Sequence, residues 1–150
     1  MPVLAIAAGY AAWRGLRARA VAVALAMVAV PVLVMPLKLW IDRPGPLTVE
    51  SGYYPSGHTA TAMVAYCGAA LLLSPLTGRG PGRGTGYPWA MPVAVVLSAA
   101  TGIGLVLRGY HWPLDVLGSV LLCGMLLALL VAALRWIDKR GAAGKGADAP

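Results

Sequence analysis

Charge is scarce in this 150-residue chain: 11% of the residues are Asp, Glu, Lys or Arg, and only five are acidic. A water-soluble domain carries about twice that charged fraction. With 59% hydrophobic residues and a mean hydropathy of +0.76, the sequence instead describes an integral membrane protein, one domain by length. Cysteine is almost missing. Cys67 and Cys123 each lie inside an apolar run and fit no zinc spacing, so a disulfide framework is excluded and both read as small buried hydrophobes. No basic leader precedes the first apolar run and no cleavage site follows it, which argues against a signal peptide. The net charge of +7 does not imply nucleic acid, because the basic residues form no stripe interleaved with aromatics. They fall in loops between apolar runs.

Those runs predict an all-α, polytopic transmembrane bundle of four full spans plus a short N-terminal apolar helix. Residues 2–13 would rise only about 20 Å as a helix, short of a hydrocarbon core of about 30 Å. Arg14, Arg17 and Arg19 then form a short basic loop. Residues 20–41 make the first full span, with Pro31 and Pro36 tolerated as kinks. Lys38 lies near its end beside Trp40, followed by a helix stop at Asp42-Arg43-Pro44-Gly45-Pro46. The second span covers 57–74, and a Gly- and Pro-rich flexible connection fills 75–88. The third span runs over 89–107. The fourth begins at Pro113, a favoured first helical position, and ends near Trp136. Residues 1–137 are thus expected to form the membrane domain, and 138–150 a disordered cytoplasmic tail.

Loop charge orients the bundle. One side holds Arg14, Arg17, Arg19, Arg79, Arg83, Arg135, Lys139, Arg140 and Lys145; the other holds Lys38, Arg43 and Arg108. By the positive-inside rule the first side is cytoplasmic. The chain's two histidines, His58 and His111, then share the extracytoplasmic face with its three outward basic residues.

The polar stretch Tyr53-Tyr54-Pro55-Ser56-Gly57-His58-Thr59 opens the second span. Ser56 suits a helix N-cap, Gly57 lets a ligand approach the backbone, and a helix N-terminus attracts anions. His58 stands where it can donate a proton to a bound anion. His111 and Asp115, four residues apart at a helix start, share a face. The carboxylate can fix the imidazole tautomer and leave the other nitrogen free to attack. Two histidines, one oriented by a carboxylate, meet the needs of two-step phosphoryl transfer. Lys38, Arg43, Arg108, Ser56 and the Gly57 amide can face the phosphoryl oxygens. Plainer roles compete: Asp115 as a helix-start charge, Lys38 and Arg108 as snorkelling interfacial residues, the tryptophans as interface belts. A metal site lacks a third histidine or a further acidic ligand.

Taken together, Pro55-Ser56-Gly57-His58 and Tyr110-His111-Trp112-Pro113-Leu114-Asp115 resemble the type-2 phosphatidic acid phosphatase superfamily, membrane lipid phosphate phosphatases whose fold is shared with vanadium haloperoxidases. Its motifs are K-x6-R-P, P-S-G-H and S-R-x5-H-x3-D, and the resemblance covers roughly 20–137. It implies His111 as a nucleophile forming phosphohistidine, Asp115 as its orienting partner, His58 as general acid, and no metal or cofactor. It also implies a lipid phosphate or polyprenyl (pyro)phosphate as substrate at the outer leaflet. Two positions depart from the pattern. With Lys38 aligned, Gly45-Pro46 stands for Arg-Pro, and Arg43 is the nearby arginine. Gly104-Leu105 stands for Ser-Arg, with Arg108 one helical turn on. The alternative is a catalytically impaired relative that binds or helps move anionic phospholipid headgroups.

Overall fold

The computed structural model describes residues 2–48, 50–73 and 89–147, with side chains as far as residue 140; the connection expected at 75–88 lies outside them. Five helices account for the regular structure of the described residues: α1 (Pro2–Trp13), α2 (Arg17–Ile41), α3 (Gly57–Leu73), α4 (Ala90–Leu107) and α5 (Pro113–Ala147).

Three of them, α2, α4 and α5 through Arg140, are long and apolar enough to cross a membrane. Four full spans were expected, and α3 is the difference. Its 17 residues rise about 26 Å, below a full hydrocarbon thickness. The helix has little lipid to meet in any case. It packs against each of the other four helices, and ten of its residues are buried. Small residues permit this: Val23 of α2 lies so close to Gly68 that a Cβ there would meet it at 2.8 Å. The core gathers on Val23, Val30 and Val34 of α2, Ala60 and Val64 of α3, and Cys123, Leu130 and Leu134 of α5. Both cysteines are buried, as their surroundings predict.

Two features differ from the sequence expectation at the end opposite the histidines. Arg17 and Arg19 belong to α2 rather than to a loop, and Arg19 is buried. Its guanidinium pairs with Asp138 at 2.7 Å and donates to the Leu71 carbonyl at 2.9 Å. That carbonyl is one of the orphans every helix C-terminus leaves, so the arginine caps α3 from α2. Asp138 lies beyond the boundary expected at 137, and α5 continues through it to Ala147.

At the histidine end the chain reverses sharply. Asp42 ends α2 in the left-handed region, its N–H returning to the Lys38 carbonyl. Gly109, at φ +70°, ends α4 and turns the chain into α5, a conformation that a side chain would strain. The loop from 42 to 56 is folded on itself by Tyr53 N–H donating to Arg43 O at 3.0 Å and Gly45 N–H donating to Glu50 O at 3.2 Å.

Candidate active site

Ser56 caps α3 as its residue type predicts. Its hydroxyl oxygen accepts from the Thr59 hydroxyl at 3.1 Å and, at a long 3.4 Å, from the Thr59 N–H. Ser56 is fully buried, however, and faces α5 rather than the cavity beside His58. Its N–H donates to the Asp115 carbonyl at 3.0 Å. The Ser119 hydroxyl lies 2.7 Å from the Ser56 carbonyl and 3.0 Å from that of Asp115, so one proton is shared between the two. The first turns of α3 and α5 are thereby held together, which brings His58 and His111 to a ring-centroid separation of 6.4 Å.

Asp115 sits behind His111 and is inaccessible to solvent. Its Oδ2 accepts from the Trp112 N–H at 3.0 Å, the reach-back of an acidic N3 residue to the N-cap amide. The same oxygen is 3.5 Å from His111 Nδ1, longer than a formed hydrogen bond, and Nδ1 has no other partner among the described residues. Its Oδ1 accepts from Arg43 at 3.1 Å. The helix-start role and the histidine-orienting role are therefore served by one carboxylate. Burial holds the His111 imidazole below its ordinary pKa, opposed by the nearby Asp115 carboxylate. The ring is neutral at neutral pH.

Arg43 stands 5.8 Å over the Trp112 ring, and the indole N–H donates to the Pro44 carbonyl at 3.2 Å. Trp112, read from sequence as part of an interface belt, thus joins the loop to α5. Tyr53 is the residue that sequence reasoning left without a role. Its ring meets His111 edge-on at 5.6 Å and fills the space beside Gly45, where a Cβ would come within 2.7 Å of the ring. An arginine at 45 would displace that tyrosine, a physical reason for the glycine at the motif position. The signal was present, since Tyr53 adjoins the Pro-Ser-Gly-His segment, but tyrosine there carries no chemistry that distinguishes it from a packing residue.

Lys38 donates to the Gly52 carbonyl and lines a cavity of about 760 Å³ together with Gly57, His58, His111 and Tyr53. Of the expected phosphate ligands, Lys38 and Gly57 reach this cavity, whereas Arg43 turns to Asp115. Arg108 does not join them. It is exposed, and as the C-cap of α4 it has left the helical face on which a one-turn shift would have aligned it. The cavity continues downward from this charged mouth between α2 and α3, where Val30 and Val34 face Thr61 and Ala65. A neutral imidazole backed by a carboxylate, a second imidazole and an ammonium at the mouth of an apolar groove can bind a phosphate carried on an apolar body and move its protons.

A family model described as the PAP2 superfamily matches residues 19–139. No curated protein and no solved structure matches the chain.

Proposed function

The chain belongs to the PAP2 superfamily, a phosphatase family, and from that premise we propose that it hydrolyses a lipid phosphate or pyrophosphate at the outer leaflet through a phosphohistidine. One observation carries the reading: His58 and His111 lie 6.4 Å apart at the charged mouth of an apolar groove, with Asp115 behind His111 alone. With Nδ1 turned to Asp115, His111 Nε2 attacks phosphorus. An N–P bond forms, the P–O bond to the lipid breaks, and His58 gives its proton to the departing oxygen. Water then attacks the phosphohistidine, His58 takes its proton, and inorganic phosphate leaves with His111 restored. Lys38 and the first-turn amides of α3 stabilise the charge on the phosphoryl oxygens. Arg43 acts one layer back by fixing Asp115. The loop-charge asymmetry supports an extracytoplasmic site.

The experiment is phosphate release from a panel of lipid phosphates by the purified, detergent-solubilised chain, with and without EDTA. Turnover should persist in EDTA and vanish in His111→Ala. His58→Ala should keep far more activity on p-nitrophenyl phosphate, whose leaving group needs little protonation, than on a lipid monophosphate, and rapid quenching should trap its phosphoenzyme. Turnover lost on chelation and restored by zinc or magnesium would overturn the scheme. A phosphoenzyme in the His111 variant but not in the His58 variant would reverse the two roles.

A further inference from the structure

No formed hydrogen bond among the described residues fixes the orientation of the His111 imidazole. Its Nδ1 stands 3.5 Å from Asp115 Oδ2 and is buried without a partner among those residues. That oxygen already accepts from the Trp112 N–H at 3.0 Å. The torsion that turns an imidazole is soft, and so long an approach does not lock it. Turning would carry Nδ1 away from the carboxylate. Yet the side chain is only 7% exposed, so its neighbours leave it little room.

Tyr53 is the closer of its two aromatic neighbours, 5.6 Å between centroids and inclined by 62°, against 6.4 Å for His58. Tyr53 is itself held at both ends. Its backbone N–H donates to Arg43 O at 3.0 Å, and its ring sits on Gly45, where a Cβ would meet Cζ at 2.7 Å. The Thr48 methyl bounds the same space. Tyr53 lines both the cavity of the histidines and a smaller one of about 210 Å³ beside Leu47, Gly109 and Tyr110. It stands as a partition between them. The other groups facing the imidazole are Asp115 of α5, Lys38 of α2 and His58 of α3, with Arg43 behind Asp115. From α1 and α4 only Val3, Leu4 and Thr101 reach the cavity. Charged and polar neighbours attract water to the imidazole, whereas an aromatic ring excludes it.

We propose that Tyr53 holds the His111 imidazole in register with Asp115 and shields it from water, and that Gly45 stands in place of the motif arginine to admit that ring. The phenol ring occupies the space through which the imidazole would turn. Keeping water from the same side strengthens the pull of Asp115 on Nδ1–H. Tyr53 is a positioning residue that acts only through His111, and its effect on turnover rests on the reading of His111 as nucleophile.

The chain has two histidines, so protein carrying isotope-labelled histidine gives two imidazole signals in detergent, assigned with His58→Gln. Ring-nitrogen shifts followed against pH read both the protonation midpoint and the tautomer of His111. In the unmutated protein the neutral ring should carry its proton on Nδ1. Tyr53→Ala opens the ring to water and relieves the burial that lowers its pKa. The midpoint should rise by about 0.5 or more, and the neutral ring should become a mixture of tautomers. Turnover of p-nitrophenyl phosphate should fall ~10-fold or more. Tyr53→Phe keeps the ring and should return all three readings to near their unmutated values. Gly45→Ala retains the tyrosine but dislodges it, and should move the midpoint in the same direction as Tyr53→Ala. If Tyr53→Ala does not fold, Gly45→Ala and Tyr53→Phe carry the same contrast. A His111 midpoint and tautomer unmoved in Tyr53→Ala, or moved equally in Tyr53→Phe, would overturn the proposal. Gly45→Ala with the unmutated midpoint would overturn the place given to Gly45. No phosphate release from any of these proteins would sink the phosphatase reading, while the two spectroscopic readings would still decide what Tyr53 does.

Discussion

Asp115 has two carboxylate oxygens and three groups directed at them: Arg43 on one, the Trp112 amide on the other, and His111 Nδ1 3.5 Å away. The two formed bonds fix its position, and the longer approach to the histidine is the one left to tighten when the ring becomes charged. Burial lowers the His111 pKa and Asp115 pushes it back up. The folded value lies below the ordinary 6.5, so the neutral ring persists into acid, and under the proposed mechanism the acid limb of kcat/KM should lie below 6.5. The same shift favours folding fully above pH 6.5 and loses that contribution as pH falls through the folded value. In Asp115→Asn the raising influence is gone. The limb should move further toward acid while turnover falls ~10²-fold or more, because the ring loses its orienting acceptor. A pH–rate profile with p-nitrophenyl phosphate measures both, and a limb at or above 6.5 in the unmutated protein would contradict the assignment.

At the scale of helices, the site depends on how closely α5 approaches the segment before α3. Gly118 is the contact point: a Cβ there would fall 2.6 Å from the Tyr54 ring. Gly118→Val should therefore push Tyr54 and its neighbours Pro55 and Ser56 away from α5, at a cost of about 1–3 kcal/mol. Thermal unfolding in detergent should show the loss, and adding Tyr54→Ala should recover much of it; no recovery would place the strain elsewhere. Such contacts mark what sequence could and could not supply. The helices at 17–41, 90–107 and 113 onward were legible because apolar runs and proline or glycine breaks are local signals. Lys38, His58, His111 and Asp115 were legible because each stands at a helix end with matching neighbours. Arg108 misled because helical-face reasoning assumes a helix, and α4 stops one residue before it. The pairing of Arg43 with Asp115 and the place of Tyr53 beside His111 escaped because both depend on a loop folded back on itself, and no pattern in the sequence encodes that fold.

Across the whole molecule, polar groups concentrate at both ends of the bundle. At the end away from the site, Arg19 and Asp138 hold α2, α3 and α5 together in a largely dry setting. Asp138→Ala leaves a buried guanidinium with only the Leu71 carbonyl as partner among the described residues, and should cost about 3 kcal/mol or more. Arg19→Met/Asp138→Leu should cost less than the single change, because no charge remains to be solvated. Unfolding of the three proteins in detergent compares them directly, and a double variant that loses as much as Asp138→Ala or more would mean that the pair does not act as a unit. At the other end, the shared Ser119 proton and the Ser56 amide fasten α3 to α5 close beneath the histidines. Lys38 arrives separately, on a helix tied to the loop through Gly52. In mechanical terms His58 and His111 are joined directly through the α3–α5 fastening, while Lys38 is placed by α2 and the loop. A shift of α2 about its Arg19 end, such as a thinner or thicker bilayer would impose, would therefore move Lys38 relative to the histidines before it changed the distance between the two imidazoles.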